Sequence, residues 1–171
     1  MSAVLNQIKS QTSGTKGTKF LTFKLADHSY GVNVLQIREI IRVMDITPLP
    51  QMPEYVRGVI NLRGRVIPVV DLRVKFSMDV REPDERTCII VVQVTTKDRV
   101  VPMGLFVDAV EEVVNITDED LEPAPEFGSH MDSSCIQGLA KVKGVVKTIL
   151  DIDQVIILDA LEKIESVASV A

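Results

Sequence analysis

Two short apolar runs separated by a basic turn form the clearest hydrophobic pattern in the chain. Residues 58–62 and 66–70 are rich in Val, Ile and Leu, and Arg63, Gly64 and Arg65 stand between them. β-branched side chains suit a pleated strand better than a helix, and Gly64 can take the positive φ angle that a tight turn needs. The pattern therefore predicts a β-hairpin whose basic turn extends into water.

The hairpin pattern returns near the C-terminal end of the chain. Matching residues of the two hairpins lie 80 positions apart without a gap: Gly58 and Gly138, Arg63 and Lys143, Gly64 and Gly144, Val66 and Val146, Asp71 and Asp151. Upstream, Gly31 matches Gly104 and Glu39 matches Glu112, this time 73 positions apart. We therefore predict two similar β units that differ by an insertion or deletion.

Strand patterns dominate the rest of the sequence. Apolar positions predict four further strands, at residues 20–25, 30–34, 87–95 and 100–107. The spacing of Val34, Ile37 and Ile41 predicts a short internal helix, with a strand as the alternative because β-branched residues are frequent there.

Three local signals complete the predicted elements. Pro68 lies inside the second run of the first hairpin, which predicts an edge strand or a bulged one, because proline cannot donate to a ladder. Asp71 is suited to cap a short helical turn after this strand. From residue 153 onward, a period of three to four residues predicts a C-terminal helix with Ile157, Leu161 and Ile164 on one face. The fold is therefore expected to be mostly β, with two barrel-like halves.

The length and the polar ends of the chain suggest how it is divided. The Ser-, Thr-, Gly- and Lys-rich residues 1–18 predict a flexible tail, and residues 166–171 predict a frayed C-terminus. We expect one folded unit between them, at residues 19–165, with halves of roughly residues 20–80 and 87–160.

Charge and aromatic content argue against nucleic acid as a partner. The formal net charge is −5, the pI is about 5.1, aromatic residues make up 4% and Trp is absent. A phosphate-binding surface needs clustered Lys and Arg, and base stacking needs aromatic side chains among them. A small-barrel nucleic-acid-binding protein is therefore only a distant alternative.

Residues suited to catalysis or metal binding are scarce. His28 and His130 have no second His or Cys at metal-ligand spacing, and Cys88 and Cys135 form no CxxC pair. Neither a glycine-rich phosphate loop nor a nucleophile elbow is present. We predict no enzyme activity, no metal and no cofactor. The absence of a secretory signal pattern and of a long apolar run predicts a cytoplasmic protein with two reduced thiols.

Four segments, taken in order, resemble a known family. They are FLTFKLADHSYGVNVLQIREI, VRGVINLRGRVIPVVDLRVKF, FVDAVEEVV and LEPAPEF, and they cover most of the chain. The N-L-R-G-x-x-x-P-h-h-D-L-R pattern at residues 61–73, where h is an apolar residue, is the most specific of these matches. At these residues the chain resembles the CheW-type chemotaxis coupling proteins.

The resemblance implies a fold and a function. It implies two intertwined SH3-like β-barrels and no catalysis, and it is a resemblance to the stand-alone adaptor and not to the kinase that carries a related domain. The implied partners are the cytoplasmic tips of methyl-accepting chemoreceptors and the regulatory domain of a CheA-type histidine kinase. The protein would be a monomer in isolation, cytoplasmic, without membrane insertion and recruited to receptor arrays. A related chemosensory pathway with another output, such as pili, remains the alternative within the family.

The resemblance also implies which residues bind these partners. The receptor-binding residues would be Ile37, Glu39 and Arg63, and we add Ile40 and Val43 as apolar area beside them. The residues for kinase binding and array formation would be Cys88, Glu126 and Phe127. Because a receptor tip is a helical hairpin, an apolar groove with an anchoring ion pair is a suitable docking surface for it.

Overall fold

The computed structural model describes residues 17–96, 99–123 and 135–155. Within them the chain forms eleven strands: β1 (Thr18–Leu25), β2 (His28–Asn33), β3 (Ile37–Arg42), β4 (Val56–Leu62), β5 (Arg65–Asp71), β6 (Cys88–Thr95), β7 (Val100–Val107), β8 (Ala109–Ile116), β9 (Leu121–Glu122), β10 (Ile136–Val142) and β11 (Val145–Leu150). Two short helices, α1 (Leu72–Lys75) and α2 (Ile152–Val155), follow β5 and β11. The prediction of a mostly-β fold is confirmed.

Parts of the predicted architecture fall outside the described residues. These are the tail up to residue 16 and the C-terminal helix beyond Val155, including Ile157, Leu161 and Ile164. The short helix α2, at Ile152–Val155, is present where that helix was predicted to begin. Among the described residues, no helix is long and apolar enough to cross a membrane.

The strands form two sheets in which matching strands of the repeat occupy equivalent places. The six-stranded sheet has the order β8-β1-β2-β11-β10-β9, and the five-stranded sheet has the order β3-β6-β7-β5-β4. Each sheet takes strands from both halves of the chain. The halves meet at two parallel pairings, β11 beside β2 and β5 beside β7, and at two antiparallel pairings, β8 beside β1 and β6 beside β3. The two halves are therefore joined through their backbones.

The two predicted hairpins, β4–β5 and β10–β11, have the same geometry. Arg63 and Lys143 have φ angles of 52° and 51°, and the glycines that follow have φ angles of 85° and 82°. Two consecutive residues with positive φ form the tight turn that matches strand twist. Each hairpin also has a register shift, before Gly58 and before Gly138. The repeat seen in the sequence is thus present in the backbone.

The predicted helix at residues 34–41 is wrong, and the alternative is correct. A 3₁₀ turn covers Val34–Gln36, and the side chain of Asn33 accepts a hydrogen bond from the Leu35 N–H at its start. Strand β3 then pairs with β6, with a register shift between Ile37 and Glu39. This bulge places Ile37 and Ile40, three residues apart, against the same core, and so imitates helical spacing. The short internal helix of the chain is instead α1, where Asp71 accepts from the Arg73 N–H as a cap.

Pro68 does not lie in an edge strand. Strand β5 lies inside its sheet, between β7 and β4, and the bulge of this hairpin is on β4. The parallel pairing with β7 covers only Val69 to Asp71, just after the proline. An interior strand accommodates Pro68 because the proline precedes the stretch that pairs with β7.

Three groups of buried side chains fill the molecule. The largest contains side chains from both sheets, among them Phe23, Val34, Ile37, Met103 and Leu150. The five-stranded sheet curls around a second group that includes Ile60, Ile89 and Phe106, and the six-stranded sheet covers a third. Among the described strands, the ladder order of neither sheet closes on itself, so closed barrels are not observed.

Candidate functional site

The first hairpin turn forms an ion pair with strand β3. The N–H groups at Nη1 and Nη2 of Arg63 donate to Oε2 and Oε1 of Glu39 over 2.7 and 2.9 Å. The turn is held by Asn61, whose Oδ1 accepts from the Gly64 N–H at 2.9 Å. Glu39 and Arg63 are 24 residues apart in the sequence, and the curvature of the five-stranded sheet brings them together.

The ion pair leaves most of the guanidinium exposed. The Arg63 side chain is 72% exposed, whereas that of Glu39 is 14% exposed. The hydrogen bonds from Arg63 lower the pKa of Glu39, and Glu39 raises the pKa of Arg63. Two of the five N–H groups of the guanidinium bind Glu39, so others can bind an acceptor of a partner. The arrangement presents an oriented cation at the surface.

A groove runs between the outer strands of the two sheets. Its volume is about 790 Å³, and its walls include β3 and β8, the strands that occupy matching edges. Apolar side chains line it, namely Ile40, Ile41, Cys88, Ala109 and Val110. Charged side chains also line it, namely Lys24, Arg42, Glu85, Arg86 and Glu111. Such a groove can bind an amphipathic segment through its apolar floor and charged rim.

Cys88 belongs to this groove and joins its two walls. It is the first residue of β6, and the Val110 N–H of β8 donates to its sulfur. Burial raises the pKa of the Cys88 thiol to about 11. The thiol is therefore protonated and weakly nucleophilic near neutral pH. Its role here is to pack.

The structure separates the predicted receptor-binding residues into four environments. Glu39 and Arg63 meet at the turn, Ile40 lines the groove, and Val43 is 37% exposed after β3. Ile37 is fully buried in the largest core, so its side chain offers no area to a partner. The side chain holds β3 against the core, and its predicted role in receptor binding stays a prediction.

The predicted kinase-binding residues are only partly described. Cys88 lines the same groove as Ile40, so one partner in the groove would contact both residues. The sequence had suggested a different partner for each of them. Glu126 and Phe127 lie outside the described residues.

Sequence reasoning missed the contribution of β8 to the groove. The internal repeat could have indicated it, because Val110 follows Ile37 by the same 73 positions that relate Glu39 to Glu112. In the part of the chain that the structure describes, no group of three His, Cys, Asp or Glu side chains could hold a metal ion.

Comparison with known proteins identifies the family. The model of the CheW-like domain matches residues 19–159. This chain belongs to the CheW-like family. The chemotaxis protein CheW of Rhizobium meliloti is 39% identical over 150 residues, which cover 88% of this chain and 93% of that protein. The chemotaxis protein CheW of Klebsiella aerogenes is 32% identical over 166 residues, which cover 97% and 98% of the two chains.

A solved structure supports the same assignment. The crystal structure of the scaffolding protein TtCheW from Thermoanaerobacter tengcongensis superimposes with a TM-score of 0.76 at 30% identity, covering 87% of this chain and 94% of that one. CheW-type proteins are scaffolds of chemotaxis signalling, and their role is to couple chemoreceptors to a CheA-type kinase. This is the function that family membership gives the chain.

Proposed function

We propose that this chain is a non-catalytic adaptor that binds receptor tips along strand β3. The observation that carries the proposal is the bidentate pair of Glu39 and Arg63 at the exposed turn. A bidentate pair fixes the orientation of the guanidinium, which favours recognition of a partner carboxylate or carbonyl. Ile41 lines the groove and lies two residues after Glu39, on the same side of β3, so the ion pair and the groove are continuous along this strand.

The receptor segment that fits this surface is a helical hairpin. Ile40 and Val43 on the β3 segment supply apolar area, and Val66 beside the turn is 51% exposed. Glu39 and Arg63 set the register of the helices, while the apolar side chains contribute burial. A modest interface, of roughly 800 Å² or less per partner, suits an adaptor that assembles in arrays.

We assign the groove, including Cys88, to receptor binding. Ile40 and Cys88 share the groove, and β3 also carries Glu39, so a helix that binds the ion pair reaches the groove next. The regulatory domain of a CheA-type kinase then binds elsewhere on the adaptor. Glu126 and Phe127 remain the predicted contacts for kinase and array formation. The adaptor alone is a monomer and is recruited to receptor arrays at the membrane.

We further propose that each sheet forms an SH3-like barrel and that residues 19–165 form one domain. Support comes from a bridge in which Thr47 and Val59 exchange two backbone hydrogen bonds of 2.8 and 2.9 Å. This bridge joins the segment after β3 to β4, the opposite edge of the five-stranded sheet. It brings the chain that leaves one edge strand back to the other edge, as barrel closure requires.

Replacement of Arg63 tests the receptor surface. Arg63→Ala should weaken binding of a soluble receptor-tip fragment by about tenfold, because an exposed anchoring side chain is lost. The melting temperature should change by less than about 3 °C, because surface side chains contribute little to folding. Titration calorimetry and a thermal melt measure the two effects.

Arg81→Ala is the matched control. Arg81 also forms an exposed ion pair, at 3.0 Å with Asp84, but it belongs neither to the β4–β5 hairpin nor to the lining of the groove. This variant should retain both receptor binding and stability. If Arg63→Ala bound the receptor fragment as tightly as the original chain, the proposed surface would be wrong. It would also be wrong if the variant lost its cooperative thermal unfolding, because the loss of binding would then reflect misfolding.

A further inference from the structure

A lysine side chain is buried beside the groove. Lys147 of β11 is only 4% exposed, and lysine is rarely buried this far unless its charge is paired. Its Nζ donates to Ser29 Oγ at 3.0 Å and lies 3.5 Å from Glu111 Oε2, while the Ser29 hydroxyl donates to Glu111 Oε1. We call these residues the Lys147 cluster (Ser29, Glu111, Lys147). The cluster joins β11 to β2 and to β8.

Glu111 belongs to an irregular part of β8. The register of the β1–β8 ladder shifts here, so that Glu111 and Glu112 lie opposite the single residue Thr22. Thr22 is fully buried, and its hydroxyl donates to the Glu112 carbonyl at 2.9 Å and accepts from the Glu112 N–H at 3.2 Å. Because a β-bulge interrupts the regular ladder, side-chain contacts such as those of the Lys147 cluster help to hold this part of the strand.

The bulged part of β8 is also a wall of the groove. Residues 109–111 line the groove on this side, and β3 lines it on the other. Among the described strands, β8 lies at a sheet edge and pairs with β1 alone. The Glu111 side chain is 22% exposed, and it both contacts Lys147 and lines the groove. The position of this wall therefore depends in part on the contacts of Glu111.

We infer that Lys147 is a positioning residue for the groove and acts through Glu111. The ion pair holds β8 at a fixed distance from β3, and a groove that is already ordered loses less freedom when a helix binds. If the ammonium were absent, the Glu111 carboxylate would turn towards water, because an unpaired charge is costly to bury. The effect on receptor binding rests on the proposed function, which assigns this groove to the receptor.

Lys147→Met tests this role, because methionine has a similar length and no charge. Lys143→Met is the matched control. Lys143 lies in the β10–β11 turn, and its Nζ is 3.6 Å from Glu112 Oε2, but neither residue of this pair lines the groove. Glu111→Gln removes the charge pair from the other side, and it takes the place of Lys147→Met if that variant does not unfold cooperatively in a thermal melt.

The Cys88 thiol reports on the groove in the absence of any partner. Cys88 lines the groove, and the Val110 N–H of β8 donates to its sulfur, whereas Cys135 is only 2% exposed. The full chain is treated with an aromatic disulfide reagent, and mass spectrometry of its peptides shows which cysteine has reacted. A displaced β8 exposes the thiol, so we expect Lys147→Met to speed the reaction of Cys88 about tenfold. Lys143→Met should leave this rate unchanged.

A double variant shows whether Lys147 acts through Glu111. Lys147→Met combined with Glu111→Gln removes both charges, and the neutral amide can still accept from the Ser29 hydroxyl. Replacing a whole buried ion pair by neutral groups is often tolerated, so the double variant should restore most of the protection of Cys88. In titration calorimetry with a soluble receptor-tip fragment, Lys147→Met should bind about tenfold more weakly than the original chain, and Lys143→Met should bind equally well.

The two readouts separate the role of Lys147 from the proposed function. An unchanged Cys88 rate in Lys147→Met would overturn the positioning role, and so would a Cys135 rate that rises equally, because the lysine would then only stabilise the whole fold. A double variant no better protected than Lys147→Met would show that Lys147 does not act through Glu111. If Cys88 reacted faster while receptor binding stayed unchanged, Lys147 would still position the wall, and the assignment of the groove to the receptor would be wrong.

Discussion

At the scale of single residues, Asp108 connects three parts of the structure. Its carboxylate accepts from the Ala26 N–H at 2.7 Å and from Nε of Arg73 at 2.7 Å, and Nη2 of Arg73 binds its other oxygen. The residue lies between β7 and β8, Ala26 lies in the β1–β2 turn, and Arg73 lies in α1. Burial alone would raise the pKa of Asp108, but these hydrogen bonds outweigh it and lower the pKa.

Asp108 should therefore make stability depend on pH in the acid range. A carboxyl whose pKa is lower in the folded state stabilises the fold above its unfolded value, near 3.8, and this contribution is lost as pH falls through the folded value. Asp108→Asn should lower the free energy of unfolding by about 1–2 kcal/mol at pH 7 and flatten its fall below pH 4. Urea denaturation of both proteins between pH 7 and pH 2.5 measures this.

Asp118→Asn is a suitable control because Asp118 is exposed in a turn. It should reproduce the acid profile of the original chain. If Asp108→Asn also kept that profile unchanged, the stabilising role of the Arg73–Asp108 pair would be wrong.

The sequence contained both residues of the Glu39–Arg63 ion pair but did not indicate that they form a pair. The turn at Arg63 and Gly64 was predictable because two β-prone runs with a glycine between them allow few alternatives. Glu39 was an isolated acid in an apolar segment, and nothing within a few positions indicated its partner. Only the curvature of the five-stranded sheet brings it to Arg63. A local pattern cannot show such long-range proximity.

At the scale of elements, close backbone approaches determine how the hairpins join the sheets. Gly58 has a φ of 143°, and a Cβ there would lie 2.1 Å from the carbonyl oxygen of Thr47. Thr47 in turn pairs with Val59 through two backbone hydrogen bonds. The glycine is therefore required where the segment after β3 returns to β4.

Gly58→Ala should destabilise the fold strongly, by about 3 kcal/mol or more, because the methyl group and the Thr47 carbonyl cannot share this space. Gly64→Ala is the matched control. Gly64 also has a positive φ, but an added Cβ there would meet no atom within 4 Å. It should cost only about 1 kcal/mol. Chemical denaturation provides both values, and equal costs for the two variants would contradict the close packing at Thr47.

Element prediction failed where a bulge altered the strand period. The 3₁₀ turn and the register shift in β3 place Val34, Ile37 and Ile40 against one core at intervals of three residues. That interval is a helical signature when read from the sequence alone. The hairpins were predictable because their turn chemistry is local, whereas the bulge depends on the pairing with β6.

At the scale of the whole molecule, the exchange of strands makes the two halves interdependent. The repeat predicted two similar units, and the family resemblance implied that they are intertwined. The parallel pairings of β5 with β7 and of β11 with β2 had no local signal, because they join segments far apart in the chain. They place the two matching hairpins, β4–β5 and β10–β11, in different sheets that have the same strand arrangement.

The most direct test of this account measures coupling itself. Membranes containing a chemoreceptor are mixed with a CheA-type kinase from the same organism, and autophosphorylation is followed with and without this chain. The account predicts that receptor control of the kinase appears only when the chain is added, and that Arg63→Ala reduces it. Equal kinase rates with and without the folded chain would contradict the adaptor function.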